Sequence, residues 1–257
     1  MMKKIDISIL GLGNLGTAFF DGLRKNENVN LHLYEENEGT RKSLLKLYDT
    51  KILPNIEFID SVDKMPEISF NSVGVFIGSH TKFDLQTIKE IETINQYVEN
   101  KIIRIMPNLL IRENNGLIPF VKNYDGDYLN FINVALSFLG NTEEFDEELF
   151  ALITAISGSG PAWFYELSNQ LVNSATKLGM NENDATNLIK GLIKALPNLI
   201  NEDDTFDELV NKVKSPKGTT EAGLNSLIVD NFDNIIFNAI RQATNRSIEI
   251  STELKNE

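Results

Sequence analysis

Three glycines constrain this chain more than any other feature. Gly11, Gly13 and Gly16 stand in the run Gly11-Leu12-Gly13-Asn14-Leu15-Gly16. Ahead of them, Ile5, Ile7, Ile9 and Leu10 form a short β-rich run; behind them, Leu15, Ala18, Phe19, Gly22 and Leu23 recur at helical spacing. After a turn at Asn26 and Asn28, Val29, Leu31 and Leu33 alternate as a half-buried strand does. Strand, glycine turn, helix, strand is the setting in which G-x-G-x-x-G binds a dinucleotide. There Gly11 allows the tight turn, Gly13 lets the backbone approach a pyrophosphate, and Gly16 lets the helix pack on the strand. The helix N-terminus, beginning near Asn14, offers N–H groups and a partial positive charge to the phosphates, and Leu12, Asn14 and Leu15 are expected to bind the cofactor with the three glycines. The bland alternative is a glycine-rich turn in a sheet protein with no ligand.

An acidic residue falls where such a motif asks for one. Glu35 lies 19 positions after Gly16, at the end of the second predicted strand. A carboxylate there accepts hydrogen bonds from ribose hydroxyls and repels a 2′-phosphate, which favours NAD over NADP. Glu36 and Glu38 add to the repulsion, Arg41 and Lys42 offset part of it, and a solvated acidic loop is the competing account.

Composition narrows the field further. The chain has 257 residues, no cysteine, two histidines and a formal net charge of −13. Zero Cys excludes zinc ribbons, iron–sulfur clusters, disulfide frameworks and a cysteine nucleophile, and His32 and His80 alone make a poor metal site, so no metal is expected. The acidic balance argues against a nucleic-acid partner. No apolar run is long enough to span a membrane, and Met1-Met2-Lys3-Lys4 leads into neither an apolar leader core nor a cleavage signal, which points to the cytoplasm.

Further along, Val73–Ile77 reads as a central strand, 84–99 as a helix, Ile102–Met106 as a strand ended by Pro107, and Leu117–Val121 as another strand. Past residue 145 helical periods take over: 145–157, 162–178 with Pro161 at its start and Gly179 as its cap, 184–199 bent at Pro197, 206–213, a helix starting near Glu221, and 232–254. The acidic run Glu143–Glu148 reads as a solvated helix start. The expected fold is an α/β Rossmann N-terminal domain over 1–145 followed by an all-α C-terminal domain over 146–257. Two small-residue loops, Ser157-Gly158-Ser159-Gly160-Pro161-Ala162 and Ser215-Pro216-Lys217-Gly218-Thr219-Thr220, precede predicted helices. Each suits a carboxylate ligand and equally suits a tight connection capped by Ser or Thr.

Taken in order, these segments resemble the pyrroline-5-carboxylate reductase family. The resemblance is carried by Gly11–Gly16 with Ala18-Phe19, Arg104-Ile105-Met106-Pro107-Asn108, Thr154–Ala162, Lys177–Met180, Ser215–Leu224 and Ala243–Ser247. It implies a Rossmann domain with a helical domain that forms a homodimer or larger homo-oligomer. It also implies reduction of 1-pyrroline-5-carboxylate to L-proline with NAD(P)H. By the same resemblance Ser215, Gly218, Thr219 and Thr220 bind the substrate, Thr220 serving catalysis by donating to the ring nitrogen. Ser157, Gly158, Ser159 and Gly160 border that pocket, and Met106, Pro107 and Asn108 border the cofactor. Against the family's frequent use of the phosphorylated cofactor, Glu35 leans this chain toward NADH. It departs from the family pattern at Gly78-Ser79-His80, where V-K-P is usual, in the short interval from there to Met106, and at Leu109-Leu110, where T-P is usual. His80 is a replacement catalytic group or a loop histidine; His32 is expected to be structural, and Trp163 core or dimer interface. The alternatives to the reductase are a paralogue reducing another small imine or keto acid, and a non-catalytic cofactor-binding dimer.

Overall fold

The computed structural model describes residues 5–48, 55–59, 74–77, 103–122, 136–201 and 203–256. They divide into two compact units, Met1–Gly158 with Asn245–Glu257, and Ser159–Thr244.

The first unit begins with the predicted strand–turn–helix–strand. β1 (Ile5–Leu10) leads through the glycine loop into α1 (Asn14–Leu23) and on to β2 (Val29–Tyr34). α2 (Glu38–Leu47), β3 (Ile56–Phe58) and β4 (Gly74–Ile77) follow. The sheet order is β3-β2-β1-β4, every pair parallel, with Ile7 opposite Leu31 and Ile9 opposite Leu33. Ile7, Ile9, Leu31 and Leu33 are fully or almost fully buried, as are Phe20 and Leu23 of α1. This burial is what the apolar spacing in those segments exists to achieve. The predicted helix over 84–99 lies outside the described residues, as does His80.

A second, smaller sheet joins β5 (Ile103–Ile105), β6 (Gly116–Lys122) and β7 (Gly140–Glu144), the first pair antiparallel and the second parallel. β7 corrects the sequence reading: Glu143 and Glu144 pair with Pro119 and Phe120 in a strand, and helical structure starts only at Glu147. Five polar or small residues in Gly140–Glu144 carry no apolar alternation, so their strand is made by the ladder and not by a pattern. From Glu147 the chain forms a 3-10 turn, then α3 (Phe150–Ile153), then a π-helical turn over Thr154–Gly158.

Asp21 fastens α1 to its surroundings. Its Oδ1 accepts from the Tyr48 hydroxyl at 2.7 Å and Arg24 Nε at 3.2 Å, and its Oδ2 faces Arg112 Nε at 3.1 Å. The Tyr48 ring meets Phe20 edge-on at 4.7 Å. Burial first, and the Asp21 carboxylate second, push the Tyr48 phenol from 10.0 up to about 12. Because the folded value is the higher one, the stabilisation is complete below pH 10.0 and is lost as pH rises toward about 12. The ultraviolet phenolate signal that Tyr48→Phe removes should therefore emerge only near the upper value; emergence close to 10.0 contradicts the network.

The second unit is helical: α4 (Gly160–Lys177), α5 (Glu182–Ala195), α6 (Phe206–Val213), α7 (Thr219–Val229) and the first part of α8 (Phe232–Asn256). Pro161 sits in the first turn of α4, and Gly179 takes φ of 102° just past its end. At Pro197 the chain tightens from α5 into a 3-10 turn over Leu196–Leu199. α6 opens on a capping box between Thr205 and Glu208. α7 starts two residues earlier than the apolar period suggests, because Gly218, and no apolar residue, ends the preceding turn. Phe164, Tyr165, Ile228, Ile235 and Phe237 are more than half exposed in the isolated chain.

Candidate nucleotide and substrate sites

In the first unit the glycine loop has the geometry its motif requires. Gly11 takes φ of 80° and donates its N–H to Tyr34 O at 2.9 Å. A Cβ on Gly16 would collide with the Gly11 carbonyl oxygen, so the two glycines set how closely α1 approaches β1. Gly13 is the reverse case: it is exposed, and a Cβ there would meet nothing within 4 Å. α1 begins at Asn14 with Gly13 as its N-cap. The loop is braced by Thr17, whose hydroxyl donates to Leu12 O at 2.8 Å. An open approach at Gly13 beside the first-turn N–H groups of a helix is what a pyrophosphate fits.

Glu35 is tied into the same loop. Its Oε2 accepts the Leu12 N–H at 2.7 Å and its Oε1 accepts the Asn37 N–H at 2.8 Å. The carboxylate therefore also holds the glycine turn to the β2–α2 connection, a role that sequence spacing does not disclose. Glu38 pairs with Lys42 at 2.7 Å, and Glu36 is exposed. A cleft of about 570 Å³ runs from Leu12, Gly13, Asn14 and Thr17 to Gly39, Thr40, Ser43, Leu44 and Arg112. Thr17, Thr40, Ser43 and Arg112 escaped the sequence reading, since none belongs to a motif with fixed spacing.

The segment Met106-Pro107-Asn108 follows β5. Met106 donates its N–H to Pro119 O at 2.9 Å, Pro107 and Asn108 are buried, and Asn108 Oδ1 caps the 3-10 turn Leu109–Glu113 through Leu110 N–H at 3.2 Å. Met106 lies against Gly158: a Cβ on that glycine would stand 2.5 Å from Met106 Cε. So Met106, expected on the cofactor side, and Gly158, expected on the substrate side, are neighbours in the first unit. Ser157 beside them is buried, and its hydroxyl has no hydrogen-bond partner among the described residues.

Ser159, Gly160 and Ser215–Thr220 belong to the second unit. Gly218 N–H donates to Ser215 O at 3.0 Å, closing a four-residue turn. Thr219 and Thr220 are the first two residues of α7, Thr219 exposed and Thr220 half-buried. Their N–H groups are among those a helix start leaves without an intrahelical partner. Among the described residues no group of acidic, histidine or cysteine side chains could hold a metal, and no helix is long and apolar enough to cross a membrane.

The parallel sheet and glycine loop, followed by a helical region, define a Rossmann-type protein with an all-α C-terminal domain. The family model described as pyrroline-5-carboxylate reductase dimerisation matches residues 147–250. The pyrroline-5-carboxylate reductase of Staphylococcus haemolyticus is 28% identical over 264 residues, covering 94% of this chain and 96% of that protein. The Coxiella burnetii enzyme structure superposes with a TM-score of 0.76 at 21% identity, over 96% of this chain and 99% of that one. The Plasmodium falciparum pyrroline carboxylate reductase, solved with NADP bound, gives 0.73 at 21% identity, over 97% and 99%. Over nearly its whole length the chain is thus similar to pyrroline-5-carboxylate reductases, and residues 147–250 match that family's dimerisation model.

Proposed function

We propose that this protein is an NAD(P)H-dependent oxidoreductase that reduces 1-pyrroline-5-carboxylate to L-proline in the cytoplasm. Residues 1–145 bind the dinucleotide, and residues 146–257 bind substrate and form a homodimer or larger homo-oligomer. The observation that carries this reading is the closed Ser215–Gly218 turn at the start of α7, in a helical region that matches the family's dimerisation domain. The large apolar residues exposed on α4, α7 and α8 are the surface a partner copy would cover.

When bound, the nicotinamide cofactor supplies a hydride to the C=N carbon. The chain's own task is to hold the reactants together, worth several kcal/mol as effective molarity, on the order of 7–11 at best. Gly11–Gly16 receive the pyrophosphate, and Glu35 holds that loop through Leu12. The N–H groups at the start of α7 meet the substrate carboxylate. Thr220 donates to the ring nitrogen as it becomes an amine, so no strong side-chain acid is needed. Ser157, Gly158, Ser159 and Gly160 are assigned to the substrate, and Met106, Pro107 and Asn108 to the cofactor.

The direct test is oxidation of NADH and NADPH with pyrroline-5-carboxylate, followed by detection of proline. Cofactor binding without turnover would favour the paralogue or the non-catalytic dimer, to which the Gly78-Ser79-His80 segment gives a reason.

NADH is the preferred donor in this proposal. Glu35 and Glu36 present like charge to a 2′-phosphate, and Lys42 is engaged by Glu38. Water and salt screen such contacts to about 1.4 kcal/mol together, so kcat/KM should favour NADH by roughly tenfold. Glu35→Gln keeps an acceptor for Leu12 and removes the charge, and it should narrow the ratio. A wild-type preference for NADPH would overturn the assignment.

A further inference from the structure

The turn that presents Thr219 and Thr220 is closed by a left-handed residue that is not glycine. Lys217 has φ of 59°, a conformation that L side chains adopt rarely. Ser215 O accepts the Gly218 N–H at 3.0 Å, with Pro216 and Lys217 between them. Proline followed by a positive-φ residue is the type II arrangement, and its third position is the usual place for glycine. Here a lysine stands there, and something outside the turn must hold it.

That something is Glu221, the third residue of α7. Its Oε2 accepts the Lys217 N–H at 2.8 Å, and its Oε1 lies 4.0 Å from Lys214 Nζ. The turn has little room to relax elsewhere, since a Cβ at Gly218 would collide with Ser215 Oγ and stand 3.0 Å from Ser215 O. One carboxylate thus reaches back four residues and grips the backbone at its least favourable point.

We propose that Glu221 is a positioning residue for the substrate loop: by holding the Lys217 amide it sets where Ser215, Gly218, Thr219 and Thr220 stand. The inference rests on the reaction proposed above. Glu221 acts through the backbone of Lys217 and touches no reacting atom in this role.

The test is a cycle of wild type, Glu221→Ala, Glu221→Gln, Lys217→Gly and the Glu221→Ala/Lys217→Gly double variant, read in KM for pyrroline-5-carboxylate, KM for NADH and thermal midpoint. Loss of the grip should raise the substrate KM about tenfold in Glu221→Ala and leave the NADH KM within about twofold. Glu221→Gln, whose amide oxygen still accepts, should stay within about threefold of wild type. The double variant should recover to about the same level, because glycine holds a positive φ unaided. A merely structural role would move both KM values together and would not respond to the lysine exchange. An unchanged substrate KM in Glu221→Ala, or a double variant no better than Glu221→Ala, overturns the proposal. If wild type does not reduce pyrroline-5-carboxylate, it is the reaction that fails. The thermal midpoints then read the Glu221–Lys217 grip on its own: recovery in the double variant supports the grip, and no recovery overturns the proposal.

Discussion

Thr220→Val is expected to lower kcat/KM for pyrroline-5-carboxylate by roughly 10–150-fold, the range that follows from losing one hydrogen bond of about 1.5–3 kcal/mol to a group developing charge. Valine keeps the branched shape and removes only the donor. Thr220 is half-buried at the second position of α7, with Thr219 exposed beside it. NADH affinity should not move, because Thr220 lies in the second compact unit and the glycine loop in the first. The measurements are steady-state kinetics and fluorescence titration of NADH. Normal turnover by Thr220→Val would end the transfer of the family's substrate site to this chain and make the paralogue the leading reading. The threonine should act on the chemical step alone, and the glutamate, which places the whole loop, on substrate KM as well.

Much of the fold was legible because burial follows period. β1, α1 and β2 carry apolar residues at the spacing each element needs, and α6 occupies the span its apolar pattern marks. β7 was not legible: Gly140–Glu144 has no apolar alternation, and its pairing with β6 over twenty residues earlier leaves no trace in a local window. The start of α7 was misplaced for a related reason, since a turn and its hydrogen bonds set that boundary and apolar spacing does not. The candidate site divides the same way. Gly11, Gly13 and Gly16 announce themselves through fixed spacing, and the two small-residue loops through resemblance. Glu35 was noticed for the charge it would show a ribose, yet its bond to Leu12 joins residues 23 apart and its bond to Asn37 depends on the loop's local conformation, and spacing encodes neither. Glu221 and Lys217 were read only as parts of a motif; their bond becomes visible when the sign of one dihedral angle is known.

The glycine loop makes the sharpest prediction, because its glycines serve opposite ends. Gly16→Ala should damage the fold itself. The added Cβ meets the Gly11 carbonyl oxygen and lies 3.0 Å from Gly11 C, and both are backbone atoms held by β1 and β2. α1 must then shift off the sheet, an overpacking worth about 1–3 kcal/mol that should appear as a lower melting temperature without any ligand. Gly13→Val should do the reverse. Its Cβ enters open space, and φ of −66° suits any L residue, so the free protein should lose no more than about 1 kcal/mol, the range of an N-cap exchange. Nucleotide affinity, however, should fall by at least about 100-fold, close to 2.8 kcal/mol, because the branched side chain fills the path by which a pyrophosphate reaches the first turn of α1. Thermal melts with and without NADH separate the two: Gly16→Ala melts early in both, whereas Gly13→Val melts like wild type alone and gains nothing from NADH. Unchanged NADH affinity in Gly13→Val would remove the pyrophosphate from this loop, and with it the placement of the dinucleotide over residues 1–145.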